Sequence, residues 1–182
     1  MKKLVSVLLA LALTFTLTAA FAKTYTAGTY YTVEYPDSMS LDDTSYVQDN
    51  TEDDAWLFML SGDDYLIDAS LSTVDEYSGF SLYSATDAEK QAYVAEVMTT
   101  FADQDPALVD TVIPASGIPF YIFSMEDSDG VYYFAETIAN GVSLYFCCYY
   151  NDVNAPLDQP LLDSLKGILK TFAPVNDGAA AA

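Results

Sequence analysis

The sequence predicts an α+β fold: an antiparallel β-sheet covered by helices on both faces, as a three-layer α/β/α sandwich. Three observations carry this. Between residues 118 and 150, three runs rich in aromatic and β-branched side chains follow one another across short turn signals, the pattern of an antiparallel meander. Those runs are apolar on both sides of the strand, so the sheet they form must be covered on both faces. Two stretches of helical character, one before the meander and one after it, are the material for that cover.

Composition sets the outer limits. The chain has 182 residues, with 27 Asp and Glu against six basic residues, all of them lysine, and a formal net charge of -21. Lacking histidine and arginine, it cannot by itself supply Ser-His-Asp or Cys-His catalysis, a histidine-ligated zinc or an arginine clamp on phosphate. The excess of acid argues against nucleic acid and anionic membrane surfaces, which require a basic footprint. With 52% hydrophobic and 14% aromatic residues, the chain nevertheless forms a core and is not an acidic disordered tail.

The first segment reads as an address. Lys2 and Lys3 precede an apolar run from Leu4 to Leu17 and then Ala20-Phe21-Ala22, the layout of a bacterial secretory signal peptide over 1–22, cut after Ala22. The run is short for a transmembrane helix, which takes about 20 residues, so the cut chain is expected to be secreted or periplasmic and not membrane-inserted. One domain is expected over 23–174, followed by a flexible small-residue tail over 175–182.

Thr29 to Tyr35 alternates, with Tyr31, Val33 and Tyr35 on one side, and Pro36 stops it: a half-buried strand. From Asp37 to Asp54 the polar, acidic composition predicts a long loop with room for a short helix. Ala55–Leu60 and Tyr65–Val74 form a hairpin around Gly62-Asp63-Asp64, with Tyr65, Ile67, Ala69 and Leu71 on one face and Asp68, Ser70 and Ser72 toward water. Thr86 and Glu89 have capping-box spacing ahead of a helix over 88–103, whose apolar positions are Ala92, Ala95, Met98, Phe101 and Ala102. Ala107–Ile113 is a further strand.

Ile118–Glu126, Val131–Ala139 and Val142–Tyr150 follow, separated by Asp127-Ser128-Asp129-Gly130 and by Asn140-Gly141. Asn-Gly between such runs predicts a two-residue type I′ hairpin, in which Ala139 faces Val142, Glu136 faces Tyr145, Phe134 faces Cys147 and Tyr133 faces Cys148. Adjacent Cys147 and Cys148 then point to opposite faces, so they read as two free buried thiols. Leu157, Leu161, Leu162, Leu165, Ile168, Leu169 and Phe172 trace one stripe of a last helix, with Pro160 in its first turn and Pro174 after its end.

This order of elements, with Tyr35-Pro36 closing an early strand and Leu165-Lys166-Gly167-Ile168-Leu169-Lys170-Thr171-Phe172 closing the last helix, resembles the PsbP-like fold. That superfamily includes the extrinsic lumenal protein of photosystem II, a Ran-binding nuclear transport factor and many small secreted bacterial proteins of unassigned role. The resemblance implies an antiparallel sheet between helices and a non-catalytic binding or assembly role. It brings no catalytic residues. The acidic character and missing arginine depart from the Ran-binding member.

Among candidate sites, Asp127-Ser128-Asp129-Gly130 with Glu136 mimics part of an EF-hand. Position 1 would be Met125, and six residues of strand place Glu136 about 20 Å from Gly130, so a plain hairpin turn is expected. Glu136 falls on one face with Tyr132, Tyr145 and Tyr149, and these four are the ligand candidates; a carboxylate so placed either titrates unusually or organises packing by accepting tyrosine hydroxyls. Asp42, Asp43, Asp53, Asp54, Asp63 and Asp64 cluster as hard oxygen donors and are candidates for weak Ca²⁺ binding. Tyr46, Tyr77 and Tyr83 are the exposed aromatic candidates for a sugar platform. Carboxylate pairs are too abundant to single one out, and Lys90, Lys166 and Lys170 fall on helix surfaces. No enzyme and no cofactor are expected. The functional expectation is a secreted or periplasmic domain acting through contacts with an envelope or extracellular protein. The alternative is a carbohydrate- or cation-binding accessory module, with an acid-catalysed hydrolase third.

Overall fold

The computed structural model describes residues 22–27, 30–43, 54–73, 77–139 and 141–174. Their order is β1 (Ala22–Ala27), β2 (Tyr31–Pro36), β3 (Ser40–Asp42), β4 (Asp54–Ser61), β5 (Tyr65–Thr73), α1 (Asp87–Thr100), a 3-10 turn (Ala102–Gln104), β6 (Ala107–Val112), β7 (Phe120–Asp127), β8 (Gly130–Ala139), β9 (Val142–Tyr150), α2 (Gln159–Leu169) and β10 (Ala173–Pro174). Apart from Ala22, the signal sequence expected over 1–22 lies outside the described residues, as does the tail expected over 175–182.

Among the described residues every strand pairing is antiparallel, which makes the fold α+β. The larger sheet has seven strands in the order β3-β4-β5-β9-β8-β7-β6, and the smaller has three, β1-β2-β10. The meander β6 to β9 therefore returns its last strand alongside the β4–β5 hairpin. The hairpin register is the one counted from Asn-Gly, with Ala139 opposite Val142, Glu136 opposite Tyr145 and Phe134 opposite Cys147. Gly141 sits at φ +80, and a Cβ there would come within 3.0 Å of the Tyr77 carbonyl oxygen, so the turn tolerates only glycine.

Because side chains alternate, the long strands feed two apolar clusters on opposite faces. One collects Phe120, Ile122, Ala135, Phe146 and Cys148 beneath Tyr31, Val33 and Tyr35 of β2 and Leu161, Leu165, Ile168 and Leu169 of α2. Its cover is mixed, one helix together with the small sheet. The other collects Phe123, Met125, Phe134 and Ile138 against Leu82 and against Tyr93 and Val97 of α1. Asp158 caps α2 by accepting the Leu161 amide at 3.0 Å, and the Thr86–Glu89 box caps α1 in both directions.

Three expectations are corrected. The acidic stretch 37–54 was expected to be loop, yet Ser40–Asp42 pairs with Met59–Ser61 as strand β3, because edge pairing draws on backbone groups whatever the side chains. The buried positions of α1 are Tyr93 and Val97, with Ala92 and Ala95 exposed, because bulky side chains set the packed face and small alanines follow. Ser70 was expected to face water and is buried, and Asp68 beside it is half-buried, because that face of β5 continues the second cluster's side of the sheet.

Candidate binding cleft

The alternation that builds two apolar faces also sets acidic side chains within the large sheet. On β8 the acid is Glu136, set opposite Tyr121 of β7 and Tyr145 of β9. Its carboxylate accepts hydrogen bonds from the Tyr93 hydroxyl of α1 and from the Ser143 hydroxyl of β9. Burial pushes the Glu136 carboxyl above the ordinary carboxylate range, helped by the charge of Glu96, while those two hydrogen bonds pull the other way. Tyr93 is held well above its usual range by burial and by the facing carboxylate. Of the three tyrosines expected around Glu136, Tyr145 faces it across the β8–β9 pair and also packs, tilted, on Phe134 with ring centroids 5.6 Å apart. Tyr132 and Tyr149 lie further along the sheet.

On β5 the polar residue is Asp68. It lies opposite Cys147 and accepts the Tyr149 hydroxyl. Here a cleft of about 460 Å³ opens, with no α1 residue in its lining. Leu66 and Asp68 of β5, Tyr132 of β8, and Cys147 and Tyr149 of β9 line its base. Asp127, Asp129 and Gly130 of the β7–β8 turn and Val153 of the loop after β9 form the rim. A volume of this order is that of an ordinary small-ligand pocket, about 300–1,000 Å³.

The rim is built for close approach. Asp127 pairs with Gly130 across a two-residue turn, and the Asp129 amide donates to Asp127 Oδ1 at 2.8 Å, fixing that carboxylate. Gly130 sits at φ +130, and a Cβ on it would lie 2.8 Å from the Val153 carbonyl oxygen. Glycine lets the loop after β9 fold down against the turn. The sequence Asp127-Ser128-Asp129-Gly130 is thus the hairpin turn expected, with Glu136 remote on the strand.

Charge in the cleft has one sign. None of its lining residues is basic. Burial, then the charges of Asp68 and Asp127, pushes the Cys147 thiol up to about 12. Burial, then Cys147, Asp127 and Asp103, pushes Tyr132 up to about 12. The tyrosine hydroxyls are engaged within the protein: Tyr132 donates to Gln104, Tyr149 to Asp68, and Tyr150 to Asp158 at 2.8 Å. What they offer to the cleft is ring surface.

A second groove adjoins it across Tyr150 and Asn151, lined by Asp63, Asp64, Asp152 and Asp158. The acidic candidates thus divide. Asp63 and Asp64 join this groove, Asp42 and Asp43 lie at the end of β3, Asp53 lies outside the described residues, and only the backbone of Asp54 is described. Among the described residues no group of three His, Cys, Asp or Glu side chains is placed to hold a metal ion. Tyr83 is exposed, Tyr77 packs on Phe80 with centroids 5.7 Å apart, and Tyr46 lies outside the described residues. Among the described residues no helix is long and apolar enough to cross a membrane. Sequence reasoning missed Val153 and placed Asp68 toward water with Ser70 and Ser72; the alternation of β5 alone carried no signal that this polar side would be partly covered and line a cleft.

No protein-family model matches the chain, and no curated protein matches it. Among solved structures it is similar to cyanobacterial PsbP (CyanoP) from Synechocystis sp. PCC 6803, with 14% sequence identity and a TM-score of 0.48 over 85% of this chain and 93% of that one. A likeness of that degree says nothing about function.

Proposed function

We propose that this chain is an exported, non-enzymatic binding domain of PsbP-like, three-layer architecture, and that it meets an envelope or extracellular partner through the cleft between β5, β8 and β9. The observation that carries the reading is the cleft itself, a concave site with aromatic walls and an acidic rim on a rigid sheet. Export is supported by the basic start, apolar run and Ala20-Phe21-Ala22. The non-enzymatic reading is supported by the position of Glu136: burial raises its carboxyl, yet it is held by Tyr93 and Ser143 and does not line the cleft. A carbohydrate-binding role is the second reading, favoured by Tyr132, Tyr149 and Tyr150 in one cleft.

The test is retention of envelope components on the immobilised wild type and on Val153→Arg. Val153 is 59% exposed at the rim, so arginine there fills the mouth and leaves the core intact. A component kept by the wild type and lost on the variant is the expected result. Identical retention by both overturns the cleft as the contact site.

A further inference from the structure

We propose that the cleft recognises an alkylammonium group, a primary amine carried on an apolar stem, supplied either by a free polyamine or by a lysine side chain of a peptide. The inference rests on the cleft being the contact site and adds the chemistry of what enters it.

Each wall excludes a different class of ligand. Anions are disfavoured, because Asp68, Asp127 and Asp129 line the cleft and no basic residue does. A bare divalent cation wants six to eight oxygen ligands, whereas among the described residues no three acidic or thiol groups converge. A sugar held by hydroxyl-to-hydroxyl contacts would compete with the bonds from Tyr132 to Gln104 and from Tyr149 to Asp68. What remains is apolar and aromatic surface from Leu66, Tyr132, Tyr149 and Val153 beside carboxylates at the rim. An ammonium on an alkyl chain matches both parts. The stem lies on the apolar wall, and the charged head meets carboxylate and ring face. Geometry and field agree, since Asp68 and Asp127 act on the Cys147 thiol inside the cleft. The adjoining groove of Asp63, Asp64, Asp152 and Asp158 extends the same sign of charge beyond Tyr150, which suits a ligand with a second amine.

A chain this acidic attracts any cation loosely, so the test must separate a site from general screening. Calorimetric titration of the exported chain uses cadaverine and spermidine, with pentanediol and sodium chloride at matched ionic strength as controls. A doubly blocked lysine tripeptide distinguishes the peptide source from the free amine. The expected result is saturable, one-to-one binding of an amine and none of pentanediol. Affinity should fall about tenfold in Asp127→Asn/Asp129→Asn, where asparagine still accepts the turn hydrogen bond. Glu34→Gln/Glu96→Gln, which removes the same charge at exposed positions elsewhere, should leave affinity unchanged. Equal weakening in the two double variants, or binding without saturation, overturns the proposal by reducing it to screening. If no amine binds while Val153→Arg still loses an envelope component, the ligand class falls and the proposed function stands. If amines bind at the cleft and Val153→Arg retains every component, the ligand class stands and the envelope contact falls.

Discussion

Tyr93 on α1 donates its hydroxyl to Glu136 on β8, tying the helix to the middle of the large sheet through a carboxylate that Ser143 also holds. The relationship explains why a charged residue sits under a helix at all: two hydroxyl donors replace much of the water it loses.

That arrangement has a pH signature. The folded Glu136 carboxyl is raised above its ordinary value of 4.5, chiefly by burial, so the folded state holds the proton more tightly than the unfolded chain does. The contribution is fully present below about pH 4.5, and is lost as pH rises from there through the folded value. Glu136→Gln should flatten this part of the stability curve. Glu136→Ala should lose about 1–3 kcal/mol at neutral pH by orphaning the Tyr93 and Ser143 hydroxyls. Denaturant unfolding from pH 4 to 8 reads both, and parallel curves for wild type and Gln would refute the assignment.

The α2 cap should be measurable on its own. Asp158 accepts the Leu161 amide at 3.0 Å and the Tyr150 hydroxyl at 2.8 Å through the same oxygen, so one side chain both starts the helix and joins it to β9. Asp158→Ala is expected to lose about 1–2 kcal/mol, with Asp158→Asn recovering most of it. For a chain of this size each kcal/mol corresponds to about 2–4 °C in thermal unfolding. An Ala variant that melts with the wild type would show the cap to be idle.

The parts legible in the sequence are those encoded by neighbours. Asn140-Gly141 fixes a turn, and the turn fixes every facing pair down to Tyr133 and Cys148. The stripe from Leu161 to Leu169 fixes the face of α2 because its members are all large. On α1 the signal was weaker: its alanines recur at helical spacing without being buried, and Tyr93, Val97 and the half-buried Val94 and Met98 set the packed side. β1 was hidden because Ala22–Ala27 follows directly on a segment whose composition reads as a leader. The cleft was hidden for a stronger reason. Asp68, Tyr132, Cys147 and Val153 come from four separate segments, and only the placement of β9 between β5 and β8 brings them together.

The adjacent cysteines should behave as two unlike thiols that never bridge to each other. Cys148 is buried in the α2-side cluster, and Cys147 faces the cleft on the other side of the sheet. Burial raises both thiols, Cys147 to about 12, so the nucleophilic thiolate is scarce at neutral pH. Native protein at pH 8 is expected to react slowly with iodoacetamide, Cys147 first, and to melt identically with and without dithiothreitol. Rapid labelling of Cys148, or a lower melting temperature on reduction, would contradict this.

The last prediction concerns a hydroxyl in the wrong place. Tyr31 is fully buried at the centre of the α2-side cluster, with its ring 4.9 Å from Phe172 and 6.0 Å from Phe146 between centroids. Among the described residues no hydrogen-bond partner reaches its hydroxyl oxygen. Burial pushes the phenol far above its usual range, so it stays neutral, and it still gives up its hydration on folding. Tyr31→Phe keeps the ring contacts and removes the stranded group, and should therefore be neutral to stabilising, by up to about 1–3 kcal/mol. Tyr31→Ala removes the ring and should lose about 3–5 kcal/mol, because the surrounding Phe146 and Phe172 cannot close the space. Urea unfolding of the three proteins separates the two contributions of one side chain. A Phe variant less stable than the wild type by more than about 1 kcal/mol would mean that the hydroxyl is hydrogen-bonded after all.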